Sequence, residues 1–382
     1  MHAAHSPVRA DVVRIPMSGP ADVAGFVAEF DAGRIEPQQI VAILGKTEGN
    51  GGVNDFTREF AHTTFRRVLA ERCGVDERAI DERVAIVMSG GTEGVLSPHV
   101  TIFSRVPAGE PATGKRLAIG VAATRDFLPE ELGRGAQIRE TERAVRAAMA
   151  DAGIADAADV HFVQIKCPLL TAARVEATLA RGATTVTDDG YASMGYSRGA
   201  SALGVALALG ETSEPVPDDA VLADWTRASA VASTSAGIEL LRNVIIVMGN
   251  ALAPGDLAIG HDVMADAIDL PAVLRAFASA GVPADASGRI DTRRLVNVFA
   301  KAESSPDGAI RGARHTMLDD TDISATRHAR AAVGGLIAGV AGTGAIYVSG
   351  GAEHQGPAGG GPIAVIARVD APPSAPAAAA PA

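Results

Sequence analysis

Three times along the chain an apolar run of strand length stops on a lysine: "VAILGK" at Lys46, "VHFVQIK" at Lys166 and "RLVNVFAK" at Lys301. Each lysine is followed by an arginine and then by a serine in a small-residue turn. These are Arg58 and Ser89 ("VAIVMSGG"), Arg198 and Ser235 ("ASTSAG"), and Arg330 and Ser349 ("AIYVSGG"). Solenoid units run to a few tens of residues, whereas these repeats recur at intervals longer than a hundred, so they are domain-sized. The chain therefore divides into unit 1 (residues 1–106), unit 2 (113–251) and unit 3 (257–370), followed by a tail at 371–382. Turn-rich linkers, "VPAGEPATGK" and "GNALAPGD", mark the two boundaries.

Each unit reads as strand–helix–strand, with the lysine and serine at strand ends and the arginine at a helix start. "NDFTREFAHTTFRRVLAERCG" predicts a helix capped by Asn54 and stopped by Gly74, with Phe56, Phe60, Val68 and Leu69 on its apolar side. "ASALGVALALGE" and "ARAAVGGLIAGVAG" predict small-residue helices able to pack closely at a centre. The fold class is α/β.

Composition excludes several functions. The net charge of −11 comes without any run of Lys and Arg, and aromatics make up only 4% of the chain. Nucleic acid and anionic membranes are poor partners for such a surface. Cys73 and Cys167 alone make no disulfide framework, and no Cys/His spacing reads as a zinc site. The start of the chain lacks a signal-peptide core and no apolar stretch reaches the ~18 residues of a membrane span. A soluble cytoplasmic protein is expected, and "APPSAPAAAAPA" at its end reads as disordered.

A lysine beside a serine is a candidate base and nucleophile. Desolvation lowers a lysine pKa, as does a neighbouring cation, and an apolar strand end next to an arginine supplies both. Glycine after the serine lets backbone N–H groups approach a developing oxyanion. Arginines supply fixed donors to carbonyl or anionic oxygens. Singly, each feature has a plainer reading: a strand-end lysine is solvated, and a serine–glycine turn is only a turn. Recurrence in one order favours the functional reading, since a strand end needs no lysine to fold. All three lysines are then expected to converge on one pocket. The glycine-rich "GGAEHQGPAGGG" (350–361) exposes backbone carbonyls that, with a carboxylate, suit a hard cation. Cys167 reads as a small buried hydrophobe, and His99, His261 and His315 as ordinary polar groups.

"GKTEGNGGVNDFTR", "VMSGGTEGVLSPH", "GYASMGYSRGASALGVALALGE", "KAESSPDGAIRGARHTMLDDTDI" and "YVSGGAEHQGPAGGGP" resemble the cyanuric acid amidohydrolase and barbiturase family, over about residues 10 to 370. The resemblance implies three similar α/β domains around a pseudo-threefold axis with a central active site, commonly in a homotetramer. It implies hydrolytic opening of a cyclic imide-like ring: cyanuric acid to carboxybiuret, which loses CO₂ to give biuret, or barbituric acid to ureidomalonate. It also implies Lys166 as base and Ser235 as nucleophile, with Lys46 and Lys301 in support. Substrate would be held by Arg58, Ser89, Gly90, Arg198, Ala236, Arg330, Ser349 and Gly350. A structural Mg²⁺ or Ca²⁺ would sit on Glu303, Ala352, Gln355, Gly356, Pro357 and Gly360, with no cofactor in the chemistry. Read without the resemblance, the residues leave open which dyad reacts. They also leave open a non-catalytic protein that binds a planar ring, and a deaminase-like protein.

Overall fold

The computed structural model describes residues 7–109, 112 and 114–369. The tail read as disordered lies outside them, as do three positions of the first linker. Unit 1 comprises β1 (Val8–Pro16), α1 (Ala24–Asp31), β2 (Ile40–Thr47), α2 (Phe56–Cys73), α3 (Glu77–Arg83), β3 (Ala85–Gly90) and β4 (His99–Pro107). Unit 2 comprises β5 (Gly114–Ala123), α4 (Gly135–Asp151), β6 (Val160–Pro168), α5 (Ala172–Ala180), α6 (Gly190–Leu209), β7 (Ala232–Gly237) and β8 (Val244–Ala253). Unit 3 comprises β9 (Leu257–Met264), α7 (Leu270–Ser279), β10 (Leu295–Ala302), a small hairpin β11 (Ala309–Ile310) and β12 (Ala313–Arg314), α8 (Ala325–Ala341), β13 (Tyr347–Gly350) and β14 (Gly361–Arg368). Among the described residues no helix is long and apolar enough to cross a membrane.

Each unit forms a four-stranded sheet with one topology: β1-β4-β2-β3, β5-β8-β6-β7 and β9-β14-β10-β13. The first and fourth strands of a unit pair antiparallel, as do the fourth and second, while the second and third run parallel. A parallel pair needs a crossover, and α2, α6 and α8 supply it. All three sheets carry a register shift at the start of the lysine-bearing strand, at Ile40, Val160 and Leu295.

The strand–helix–strand reading covers only the middle of this β-α-β-α-β-β unit. The leading helix lies outside that reading; in unit 1 its amphipathic signal is slight, since in α1 only Phe26 is buried. The second linker is shorter than expected, since β8 runs on to Ala253. In α2 the cap is Asp55, whose side chain accepts from the Thr57 N–H, and not Asn54. Phe56 and Phe60 are exposed, and the inward face is Ala61, Phe65 and Leu69. Gly74 does end the helix, in the left-handed conformation that favours glycine.

Each sheet has a helix-covered face with its own core, built around Phe65, Val163 and Val298 respectively. The other faces meet in one shared core containing Leu44, Phe103, Phe162, Ile246, Phe299 and Tyr347. The Phe299 ring lies 6.2 Å from Phe103, 5.6 Å from Phe162 and 5.9 Å from Tyr347, so aromatics of all three units meet there.

Candidate active site

Side chains alternate across a strand, so residues two apart face the same way. Lys46 follows Ala42 and Leu44 at that step, Lys166 follows Phe162 at twice it, and Lys301 follows Phe299. All four of these apolar residues belong to the shared core. The period of two therefore aims every lysine inward, and their exposures are 0%, 1% and 0%. Across the parallel ladders Lys46 stands opposite Ser89, Lys166 opposite Ser235 and Lys301 opposite Ser349. The crossover helices and loops between them differ in length, but the register does not.

Contacts between units close in a ring. Lys166 Nζ donates to the Met88 carbonyl of unit 1 at 2.9 Å, and Lys301 Nζ to the Thr234 carbonyl of unit 2 at 2.8 Å. Lys46 Nζ lies 5.7 Å from the centre of the Tyr347 ring of unit 3. The arginines reach the opposite way round. Arg58 Nη1 donates to the Ala236 carbonyl at 3.1 Å, Arg198 forks onto Glu353 at 2.5–2.7 Å, and Arg330 forks onto Glu93 at 2.5–2.7 Å. Arg58 stands near the start of its helix, as expected, whereas Arg198 lies in the middle of α6.

Glu93, Glu239 and Glu353 each stand four residues after the serine, in "SGGTE", "SAGIE" and "SGGAE". The sequence carried this signal, a constant serine-to-glutamate spacing, but the sequence reading did not use it. The glycine at the third position of each motif leaves space for the charged neighbours. A Cβ there would come within 2.6 Å of the Arg330 guanidinium at Gly91, 2.2 Å of the Glu239 carboxylate at Gly237, and 2.6 Å of Arg198 Nε at Gly351.

The ring surrounds a small cavity. Arg58, Arg198 and Arg330 line it, with Ser89, Ser235, Ser349, Gly90, Ala236, Gly350 and Lys166, joined by Gly51 and Met194. Every expected substrate-binding residue thus meets at one place. The lysines do so only in part. Lys166 lines the cavity, while Lys46 and Lys301 lie behind its wall and bond to Gly90 and Gly350 carbonyls at 3.2 and 3.0 Å.

The three Lys–Ser pairs are not equivalent. Lys46 donates to Ser89 Oγ at 3.2 Å and Lys301 to Ser349 Oγ at 3.3 Å. Ser235 Oγ is buried with no partner among the described residues, and Lys166 turns to Met88 and to Glu239, 3.3 Å away. Burial holds Lys46 well below the ordinary lysine value and brings Lys166 down to about 8 and Lys301 to about 7. Around Lys166 the Glu239 carboxylate opposes that shift and Arg58 adds to it.

The expected cation ligands also lie together. Glu303 accepts from the backbone N–H groups of Ser304 at 3.0 Å and Ala352 at 2.9 Å. Gln355 is fixed by its side chain, which accepts from Thr234 N–H at 2.7 Å. The loop turns sharply through Gly356, with φ at +86°, towards Pro357 and Gly360, where a Cβ would sit 2.0 Å from the Met264 carbonyl. Burial and the neighbouring Glu353 carboxylate push Glu303 above the ordinary carboxylate range. No Lys or Arg forms an ion pair with Glu303 among the described residues. One unpaired carboxylate within a tightly turned backbone loop fits a hard cation.

A family model described as "amidohydrolase ring-opening protein" matches residues 11–368. The chain belongs to this family. A cyanuric acid amidohydrolase of Bradyrhizobium diazoefficiens is 63% identical over 367 residues, covering 94% of this chain and 98% of the relative. One of Enterobacter cloacae is 56% identical, covering 94% and 100%. A solved cyanuric acid hydrolase, described as an innovation by structural concatenation, matches with a TM-score of 0.90 and 56% identity over 95% of this chain and 100% of that one. The amidohydrolase ring-opening family is one of hydrolases, and this member is an α/β enzyme of that class. Its three like sheets agree with a concatenated architecture.

Proposed function

We propose that the enzyme opens the ring of cyanuric acid by hydrolysis, with Ser235 as nucleophile and Lys166 as base. The observation that carries this reading is the cavity wall, where three units each contribute an arginine and a serine to one small chamber. Cyanuric acid is a flat ring with three equivalent carbonyls, and such a wall can meet it edge by edge. The names of the highly similar relatives support the same substrate.

Arg198 and Arg330 spend Nε and Nη2 on their glutamates and retain Nη1 for the ring, while Arg58 is held by the Ala236 and Gly52 carbonyls and presents its guanidinium charge to the cavity. Ser235 is favoured over its counterparts because its hydroxyl is the one not held by a lysine. Ser235 Oγ attacks a ring carbonyl, and its proton passes to neutral Lys166 and then to the leaving ring nitrogen. Backbone N–H groups beside Ala236 and the arginines steady the oxyanion. Water then attacks the acyl-enzyme with Lys166 again as base, giving carboxybiuret, which loses CO₂ to form biuret.

A divalent cation on Glu303 and the 352–360 carbonyls would neutralise that carboxylate and stiffen the loop. These residues hold the Glu353–Arg198 fork behind the cavity and take no proton.

The test is turnover of cyanuric acid and barbituric acid, followed by loss of ultraviolet absorbance and release of CO₂. Cyanuric acid is expected to be consumed faster. Ser235→Ala is expected to abolish turnover while leaving ligand binding intact. Turnover by Ser235→Ala would reject the nucleophile. Binding without ring opening would reject hydrolysis, and ammonia release with the ring intact would point to deamination.

A further inference from the structure

Lys166 has a second side. A separate cleft opens between units 1 and 2, and Glu239 lines it. Glu239 is also the carboxylate 3.3 Å from Lys166 Nζ. It is the one motif glutamate paired with a lysine, where Glu93 and Glu353 fork onto arginines. His62, on α2, lines the same cleft, and its Nε2 lies 3.9 Å from Asp81 Oδ1 on α3. Side-chain exposure rises in steps along this series: 1% for Lys166, 12% for Glu239, 21% for His62 and 32% for Asp81. Exposure rises from a dry amine to the cleft, where Glu239 and His62 meet as lining residues.

The reaction needs such a route. Hydrolysis of the acyl-enzyme leaves a carbamic acid that ionises near neutral pH, so each turnover adds one water and releases one proton. Lys166 must also shed its proton to act as base, and the arginine-lined cavity on its other side disfavours a cation leaving that way. We propose that Glu239 and His62 carry protons between Lys166 and this second cleft, an inference that rests on the Ser235–Lys166 reading above. Glu239, 3.3 Å from Lys166 Nζ, takes the proton from the lysine, and His62 is the exchange point with solvent. Burial holds His62 below its ordinary value, opposed by Asp81. The charged groups lining the cleft with it are Glu59 and Arg66 on its own helix, Asp81, Glu82 and Arg83 on α3, and Asp126, Glu239 and Arg242 from unit 2.

The experiment compares kcat and KM for cyanuric acid in wild type, H62Q, E239Q and S235A, in dilute non-penetrating buffer and with added imidazole. H62Q is expected to lose about tenfold in kcat with KM and melting temperature unchanged, and to regain activity with imidazole, to which the wild type is indifferent. E239Q removes the charge that raises Lys166, so the rising limb of its kcat–pH profile is expected to move to lower pH. A purely structural role for Glu239 would leave that limb in place. Wild-type kcat in H62Q, absence of rescue, or an unmoved limb in E239Q would overturn the proposal while an inactive S235A keeps the dyad. An active S235A would overturn both.

Discussion

At the scale of residues, the site is set by small groups that leave room for large ones. Gly237 shows this most plainly. Its backbone does not adopt the left-handed region, unlike that of Gly91 and Gly351, so alanine fits the chain there. The Glu239 carboxylate, 2.2 Å from the added Cβ, must move. Gly237→Ala is therefore expected to leave stability within about 1 kcal/mol of wild type while displacing Glu239 from Lys166. Thermal melts and the pH dependence of kcat would check this together: a normal melt with an E239Q-like pH limb is the expected result.

At the scale of elements, α2 couples a helix cap to the substrate pocket. Asp55 accepts from the Thr57 N–H at 3.0 Å, Thr57 Oγ1 at 2.5 Å and the Gly51 N–H at 2.9 Å, and lies 3.9 Å from Arg58 Nε. The carboxylate fills space that Gly49 and Gly90 leave open. One side chain thus starts the helix, orders the cavity-lining loop and flanks a substrate arginine. Asp55→Ala is expected to cost about 1–2 kcal/mol of stability and to raise KM more than it lowers kcat, since the proposed Lys166–Ser235 pair lies on another unit. Denaturant melts and steady-state kinetics would measure the two effects. The parallel Lys–Ser registers belong to this scale as well. A strand slip of one residue would turn each lysine from the shared core to the helix side.

At the scale of the whole molecule, the three units share one core and complete one another's sites. Lys166 bonds into unit 1, Lys301 into unit 2 and Arg330 into unit 1, so no unit holds a finished wall. Phe299 sits at the meeting point of the aromatics. Phe299→Ala is expected to destabilise by about 3–5 kcal/mol and to lower the stability of all three units together. Denaturant unfolding followed by fluorescence and circular dichroism is expected to show one coincident transition in wild type and variant. Separate transitions for separate units would show that the shared core does not couple them.

Much of this was legible in the chain itself. The repeated Lys–Arg–Ser order named the arginines and serines of the cavity wall, though of the three lysines only Lys166 lines it, because duplication preserves side chains that a strand end does not need for folding. The α/β class followed from short apolar runs alternating with helical stretches. In unit 1 the leading helix was not legible, because α1 buries only Phe26 and periodicity cannot identify so slight an amphipathic face, whereas α4 and α7 do bury a clear apolar face. The motif glutamates were visible as a constant spacing, but their roles were not. Sequence order cannot tell that Glu93 and Glu353 meet arginines of another unit while Glu239 meets Lys166. The sequence by itself determined which side chains point inward, through the two-residue period of a strand. Tertiary structure alone decided which of three like pairs differs, because that rests on contacts between units far apart along the chain.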